Sequence, residues 1–246
     1  MKSIVMTSYD YRKLNPGWFS PGRWAMSEKF DGERAYWTGS SLVSRYGNKI
    51  HAPPWWVDRW IGGYMGRLDG ELWLGRGRFQ ELRSIVSRTV NYVDWTNVQY
   101  CIFDAPVVGV GFTHLDPKIN VAYTVPGSWS EVEDAVGKVV GDGGEGVMLR
   151  RLGSYWVDKR SRDLVKIKPW LDDVGTVVGY SDGVGRLSGM VGAVLVVWNG
   201  KEFGISGFTD AERLVAKDRW PVGSAIRFRY VGLTDDGVPR EARFFR

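Results

Sequence analysis

The amino-acid sequence predicts an α+β chain in two parts, a larger mixed region followed by a small β-rich one. Three observations predict it. Short apolar strand-like runs alternate with only a few segments at helical spacing. Helical periodicity nearly vanishes from about Asp172. The residues beyond it carry four closely spaced β-rich runs separated by turn signals. A chain of 246 residues is long enough for a medium domain plus a small one.

Taken in order, residues 25–36 read as strand with charged positions inside it. After Asp69-Gly70-Glu71-Leu72-Trp73, the residues Phe79, Leu82, Ile85 and Val86 recur at helical spacing. Ser130 with Glu133 has the form of a capping box, and Val132, Ala135, Val136, Val139 and Val140 form the apolar face of the helix it would start. The glycines of 141–144 stop that helix. Residues 166–169 resume strand character. Beyond Asp172, strands are expected over 176–180, 190–198, 201–205 and 224–231, with Asn199-Gly200 as the hairpin turn between the second and third. A second capping box, Thr209 with Glu212, marks one short helix. Several short strands plus one helix in this span suit a small β-barrel of the OB type, with a plain β-sandwich as the alternative. The expected domains are therefore 1–171 and 172–246.

Composition narrows the class. Hydrophobic residues make up 43% and charged residues 25%, as in ordinary globular chains. The net charge of +5 favours polyanionic partners without requiring one, and the 13 Trp and 11 Tyr supply flat faces for a core or for bases. The single cysteine excludes an intrachain disulfide, and Cys101, inside Tyr100-Cys101-Ile102-Phe103, reads as a packed strand residue. No stretch reaches the length of a membrane span, so no membrane partner is expected. The first residues turn polar too soon for a signal peptide, which makes the cytoplasm the expected location. His51 and His114 lack spaced partners and read as surface or structural residues.

The chemistry-bearing segments are each weak alone. Glu28-Lys29-Phe30-Asp31-Gly32-Glu33-Arg34 is either a surface strand ending in a turn or the setting of a lysine nucleophile. An amine attacks only when neutral, and an ordinary lysine is protonated at neutral pH. The second reading therefore requires cations and buried surroundings converging on Lys29. Leu164-Val165-Lys166-Ile167-Lys168-Pro169 places two lysines on one face of a strand, where they could hold a triphosphate. Leu68-Asp69-Gly70-Glu71 and Gly144-Glu145-Gly146 each set a carboxylate beside glycine, able to reach a hard cation or a ribose hydroxyl. Phe103-Asp104-Ala105-Pro106 closes an apolar run with an aromatic that either stacks on a base or fills the core.

Read together and in this order, the segments resemble the nucleotidyltransferase superfamily of ATP-dependent ligases and capping enzymes. The matching positions are Lys29-x-Asp31-Gly32-x-Arg34, Ser44-Arg45-Tyr46-Gly47, Asp69-Gly70-Glu71, Phe103-Asp104-x-Pro106, Glu145-Gly146 and Lys166-x-Lys168. Over nearly the whole chain the resemblance is to the minimal bacterial and phage DNA ligases. It implies an adenylylation domain with antiparallel sheets and flanking helices, followed by an OB-fold domain. It also implies roles. Lys29 would form a phosphoramide with AMP, and Asp31 would orient Lys29 or a metal-bound water. The stretch beginning at Glu28 would read the adenine edge through its backbone. Arg34 and Glu71 would contact the ribose, Phe103 would stack on adenine, and Arg45 would touch the nick phosphate or the nucleotide. Lys166 and Lys168 would bind phosphates, and Glu145 with Glu71 would hold Mg²⁺ or Mn²⁺. Arg240 and Arg243, in the closing Pro239-Arg240-x-x-Arg243-Phe244, would serve the triphosphate, and Arg186, Arg227 and Arg229 would meet DNA phosphates. The implied activity is ATP-dependent sealing of nicked double-stranded DNA by a monomer. Relatives of this class often carry a secretion signal, and its absence points to a phage or cytoplasmic enzyme. The alternatives are an RNA-joining or GTP-using capping enzyme, and a nucleic-acid-binding module that merely keeps the fold.

Overall fold

The structure is a computed structural model and describes residues 2–89, 93–234 and 236–245. The chain divides into two units, Met1–Lys168 and Pro169–Arg246.

In chain order the first unit carries β1 (Thr7–Asp10), β2 (Trp24–Glu28), β3 (Glu33–Trp37), β4 (Leu42–Ser44), α1 (Pro54–Trp60), β5 (Leu68–Trp73), α2 (Phe79–Val86), β6 (Gln99–Asp104), α3 (Trp129–Gly141), β7 (Val147–Arg151) and β8 (Arg160–Ile167). They form two four-stranded sheets, ordered β1-β8-β7-β2 and β4-β3-β5-β6. All pairings are antiparallel except β1 with β8, which is parallel. These two strands lie at opposite ends of the unit's sequence. A distant connection of that kind permits either sense, whereas tight hairpins enforce the antiparallel one. The second sheet packs on Trp56, Trp95, Leu72, Leu82 and Tyr100, all fully buried. Leu82 and Ile85 are the buried face of α2, as their spacing requires.

Helix α3 begins two residues earlier than expected. Ser128, not Ser130, is its N-cap, and its hydroxyl accepts from the Glu131 N–H. Pro126 and Gly127 precede it, so the chain is still extended at Ser128, where φ is −150°. Glu133 instead accepts a hydrogen bond from Trp129 Nε1. Val132, Ala135, Val136 and Val139 face the first sheet, and Val140 lies outside that cluster.

The second unit carries β9 (Leu171–Asp182), β10 (Val191–Trp198), β11 (Lys201–Ile205), α4 (Asp210–Leu214), α5 (Ala216–Arg219), β12 (Ala225–Tyr230) and β13 (Arg243–Phe244), in one sheet ordered β11-β10-β9-β12-β13. Its two ends meet. Ser206 bridges Arg243, and the Phe244 N–H donates to the Ser206 carbonyl at 2.7 Å. The sheet thus closes into a barrel filled by Val177, Val194, Val196, Ile205, Ile226 and Phe228, rather than a sandwich. Asn199 and Gly200 both take positive φ, 48° and 73°, as the hairpin turn between β10 and β11 demands. Thr209 and Glu212 cap α4 reciprocally, and a separate turn, α5, follows where one helix was expected.

Candidate active site

A cavity of about 330 Å³ opens between the two sheets of the first unit. Strand β2 delivers Glu28 and then Lys29 to it, β3 Arg34, β5 Asp69 and Glu71, β6 Phe103 and Asp104, and β8 Lys166, with Lys168 just beyond. Arg45, in the turn after β4, also lines it. Glu145 sits in the turn between α3 and β7, bonded to two of the lysines below. Asp31 is not among the lining residues.

The glycines in two of these segments have a steric reason. A Cβ on Gly32 would lie 2.1 Å from the Leu72 carbonyl oxygen, so only glycine lets β3 run against β5 there. A Cβ on Gly146 would lie 2.2 Å from the Ile167 oxygen, and φ is +137°. That close approach brings the Gly146 carbonyl to the Lys29 N–H at 2.9 Å and sets Glu145 beside the lysines.

Lys29 stands between a cation and a carboxylate. Its Nζ donates to Glu145 Oε2, and Lys168 Nζ donates to the other oxygen of the same carboxylate at 2.6 Å. Burial works to raise the Glu145 pKa, but Lys29 and then Lys168 outweigh it and hold the carboxyl below its ordinary value. The Lys168 amine is lowered, first by burial and then by Lys29, against the pull of Glu145. Glu71 behaves in the opposite way. Burial pushes its carboxyl up to about 7, although Arg34 and Lys29 both oppose this.

A second network fixes the far wall. Asp69, almost fully buried, accepts two hydrogen bonds from Arg34, at 2.7 and 2.8 Å, and a third from Trp156 Nε1 at 2.8 Å. Arg34 in turn lies over the Phe103 ring, 4.5 Å from its centre. Trp156 stacks on Tyr36 at 5.4 Å and 16°. Asp104 pairs with Arg150 at 3.3 Å, and burial pushes its carboxyl up to about 6 against that pairing. Neither Trp156 nor Arg150, the fourth residue of β7, carried a signal in the sequence. The Cys101 thiol, buried in β6, is pushed up to about 12 by that burial, with Glu71 adding to it. A thiol held so high is inert as a nucleophile.

The remaining expected residues lie in the second unit. Arg227 and Arg229 on β12 both face the Phe245 ring, at 4.9 and 3.8 Å. Arg186 is exposed and paired with Asp210 at 2.6 Å. Arg243 is an exposed residue of β13, and Arg240 precedes that strand.

Comparisons with known proteins agree with this architecture. The model of the DNA ligase OB-like domain matches residues 182–246. A DNA ligase of Haemophilus influenzae is 29% identical over 237 residues, covering 91% of this chain and 86% of that protein. A solved structure of the Lig E DNA ligases, described as binding DNA with a minimal scaffold, matches at a TM-score of 0.79 and 32% identity, over 100% of this chain and 98% of its own. The ATP-dependent DNA ligase of bacteriophage T7, solved with ATP, shares the fold at a TM-score of 0.53 and 14% identity, over 98% of each chain. Fold and comparisons thus define a DNA ligase of the class built of a nucleotidyltransferase domain and an OB-like domain. Within it, the chain belongs to the minimal ATP-dependent DNA ligases, alongside Lig E.

Proposed function

We propose that Lys29 is the residue adenylylated by ATP, and that the enzyme seals nicks bearing a 5′-phosphate and a 3′-hydroxyl in duplex DNA. The observation that carries this reading is the cavity lined by Lys29, Lys168, Glu71, Arg34, Phe103 and Lys166, with Glu145 bonded to both Lys29 and Lys168. Lys29 Nζ, once deprotonated, would bond to the α-phosphorus while the bond to the bridging oxygen breaks and pyrophosphate leaves. The AMP would pass to the 5′-phosphate of the nick, freeing Lys29. The 3′-hydroxyl would then displace AMP as the new phosphodiester forms. Little covalent work falls to the protein in such transfers; placement and charge neutralisation dominate.

The roles we assign are those the resemblance implies. Lys166 and Lys168 would take the phosphates, Phe103 the adenine face, and Arg34 and Glu71 the ribose side, with Arg45 toward the nick phosphate. Arg34 would do so with part of its guanidinium already held by Asp69. Asp31 would orient the amine from just after β2. The closing segment with Arg240 and Arg243 would serve the triphosphate, and Arg186, Arg227 and Arg229 would meet DNA phosphates.

Among the described residues no group of three His, Cys, Asp or Glu could hold a metal ion. Two hard carboxylates, Glu71 and Glu145, nevertheless flank Lys29, and such a pair fits a Mg²⁺ or Mn²⁺ that arrives with the nucleotide phosphates and takes most of its ligands from them and from water. When bound, the ion would supply positive charge to the phosphate oxygens. Incubation with α-labelled ATP and divalent metal tests the nucleophile. Acid-labile, alkali-stable label should appear on the wild type and be absent from Lys29→Ala. Label persisting on that variant contradicts the assignment. Sealing of nicked duplex, but not of nicked RNA, by the labelled protein, with GTP giving no label, completes the test.

A further inference from the structure

One guanidinium outside the cavity grips a carboxylate inside it. Arg76, in the loop leaving β5, donates from Nε and Nη2 to the two oxygens of Glu28, both at 2.9 Å. Its Nη1 donates to the carbonyl of Asp142, the C-cap of α3, also at 2.9 Å. Glu28 lines the cavity and immediately precedes Lys29; Arg76 does not line it. The turn leading to Glu145 packs on the same carboxylate, since a Cβ on Gly144 would lie 3.1 Å from Glu28 Oε1. Arg76 thus touches all three segments that converge on the nucleophile: the loop after the strand of Glu71, the end of β2, and the approach to Glu145.

Fold stability is a poor reason for this arrangement. The side chains are 31% and 23% exposed, and pairs so open to water contribute little. What the pair does change is the charge of the cavity wall. An unpaired carboxylate beside Lys29 would repel an incoming polyphosphate and compete with it for the lysines, whereas a carboxylate with both oxygens engaged does neither.

We propose that Arg76 is a positioning residue that masks Glu28 and thereby sets the affinity of the cavity for a nucleoside triphosphate without touching it. The proposal rests on the cavity being the ATP site. It is tested on the full chain with α,β-methylene-ATP, which binds without reacting, by titration calorimetry. Arg76→Ala should weaken binding about fivefold, while its maximal labelling rate at saturating ATP stays as in the wild type. Adding Glu28→Gln to Arg76→Ala should restore most of the affinity, because the charge to be masked is gone. Arg76→Lys, which keeps the charge and loses the two-pronged contact, should fall between. Unchanged binding in Arg76→Ala overturns the proposal. So does a double variant as weak as the single one, which would make Arg76 a direct ligand or a structural staple, the latter if melting temperatures fall in parallel. Binding that follows the expected pattern in a protein whose wild type takes no label from ATP would leave the masking intact and sink the nucleophile assignment instead.

Discussion

Glu71 is the position where the site should be seen working against the fold. Its carboxyl is raised from an ordinary 4.5 to about 7, chiefly by burial. An acid whose folded pKa lies above its unfolded one keeps its extra proton on folding. Stability is then undiminished below about 4.5 and declines as pH rises through about 7, where the buried group must ionise. At ~1.4 kcal/mol per tenfold change, a move from 4.5 to about 7 sets an upper limit of ~3 kcal/mol. Glu71 is only partly buried and lines an open cavity, so solvent screening brings the expected figure nearer ~1–2 kcal/mol. Replacing Glu71 by Gln removes the ionisation and keeps the shape. Urea unfolding of wild type and Glu71→Gln at half-unit steps from pH 4.5 to 8.5 reads the effect directly. The two curves should coincide at the acid end, and the variant should be the more stable above pH 7. A difference independent of pH, or a variant less stable at pH 8, would refute the argument from burial. Self-adenylylation should be lost in the same variant, the usual opposition between a functional group and the stability of its surroundings.

Three further outcomes are expected. Lys168→Met, which removes an amine bonded to Glu145 at 2.6 Å, should slow self-adenylylation by ~10²–10³ while circular dichroism stays native, since Lys29 still partners Glu145. Trp56→Ala, which empties a fully buried site and abandons an indole hydrogen bond to Val98, should cost ~3–5 kcal/mol in urea unfolding with no separate effect on the site. If Arg227 and Arg229 meet DNA phosphates, replacing each by Ala should lower the slope of log affinity for nicked duplex against log salt by ~1, with no change in sequence preference; an unaltered slope removes them from the interface.

Strand and helix positions were legible in the sequence where local rules govern. Alternation located β9 to β12, Asn199-Gly200 located their hairpin, and Thr209 with Glu212 located α4. The cap of α3 was misplaced because two serines stand two residues apart with a glutamate three residues after each, and only the extended backbone set by Pro126-Gly127 decides between them. The lining of the cavity was legible at Lys29, Arg34, Arg45, Glu71, Phe103, Lys166 and Lys168, because residues near strand ends fall into recognisable short patterns. Their partners were not. Asp69 meets Trp156 across 87 positions, and Arg76 meets Glu28 across 48, through pairings that no local spacing encodes.

The same limit applies to the pairing within the cluster. The sequence sets two lysines and two glycine-flanked glutamates around Lys29 without saying which acid meets which amine, and an enclosed group of ammonium ions without a counter-charge would repel itself and destabilise the fold. The structure resolves this by placing Glu145 between Lys29 and Lys168, one oxygen for each. The carboxylate thus accepts hydrogen bonds from the two amines proposed to meet the nucleotide. On the proposed mechanism phosphate oxygens would take over the lysines, which would leave Glu145 able to serve a cation that accompanies the nucleotide. Pairing with Glu145 offsets the repulsion between the two ammonium groups while the cavity is empty, and the same two amines are the ones a strongly anionic substrate would take.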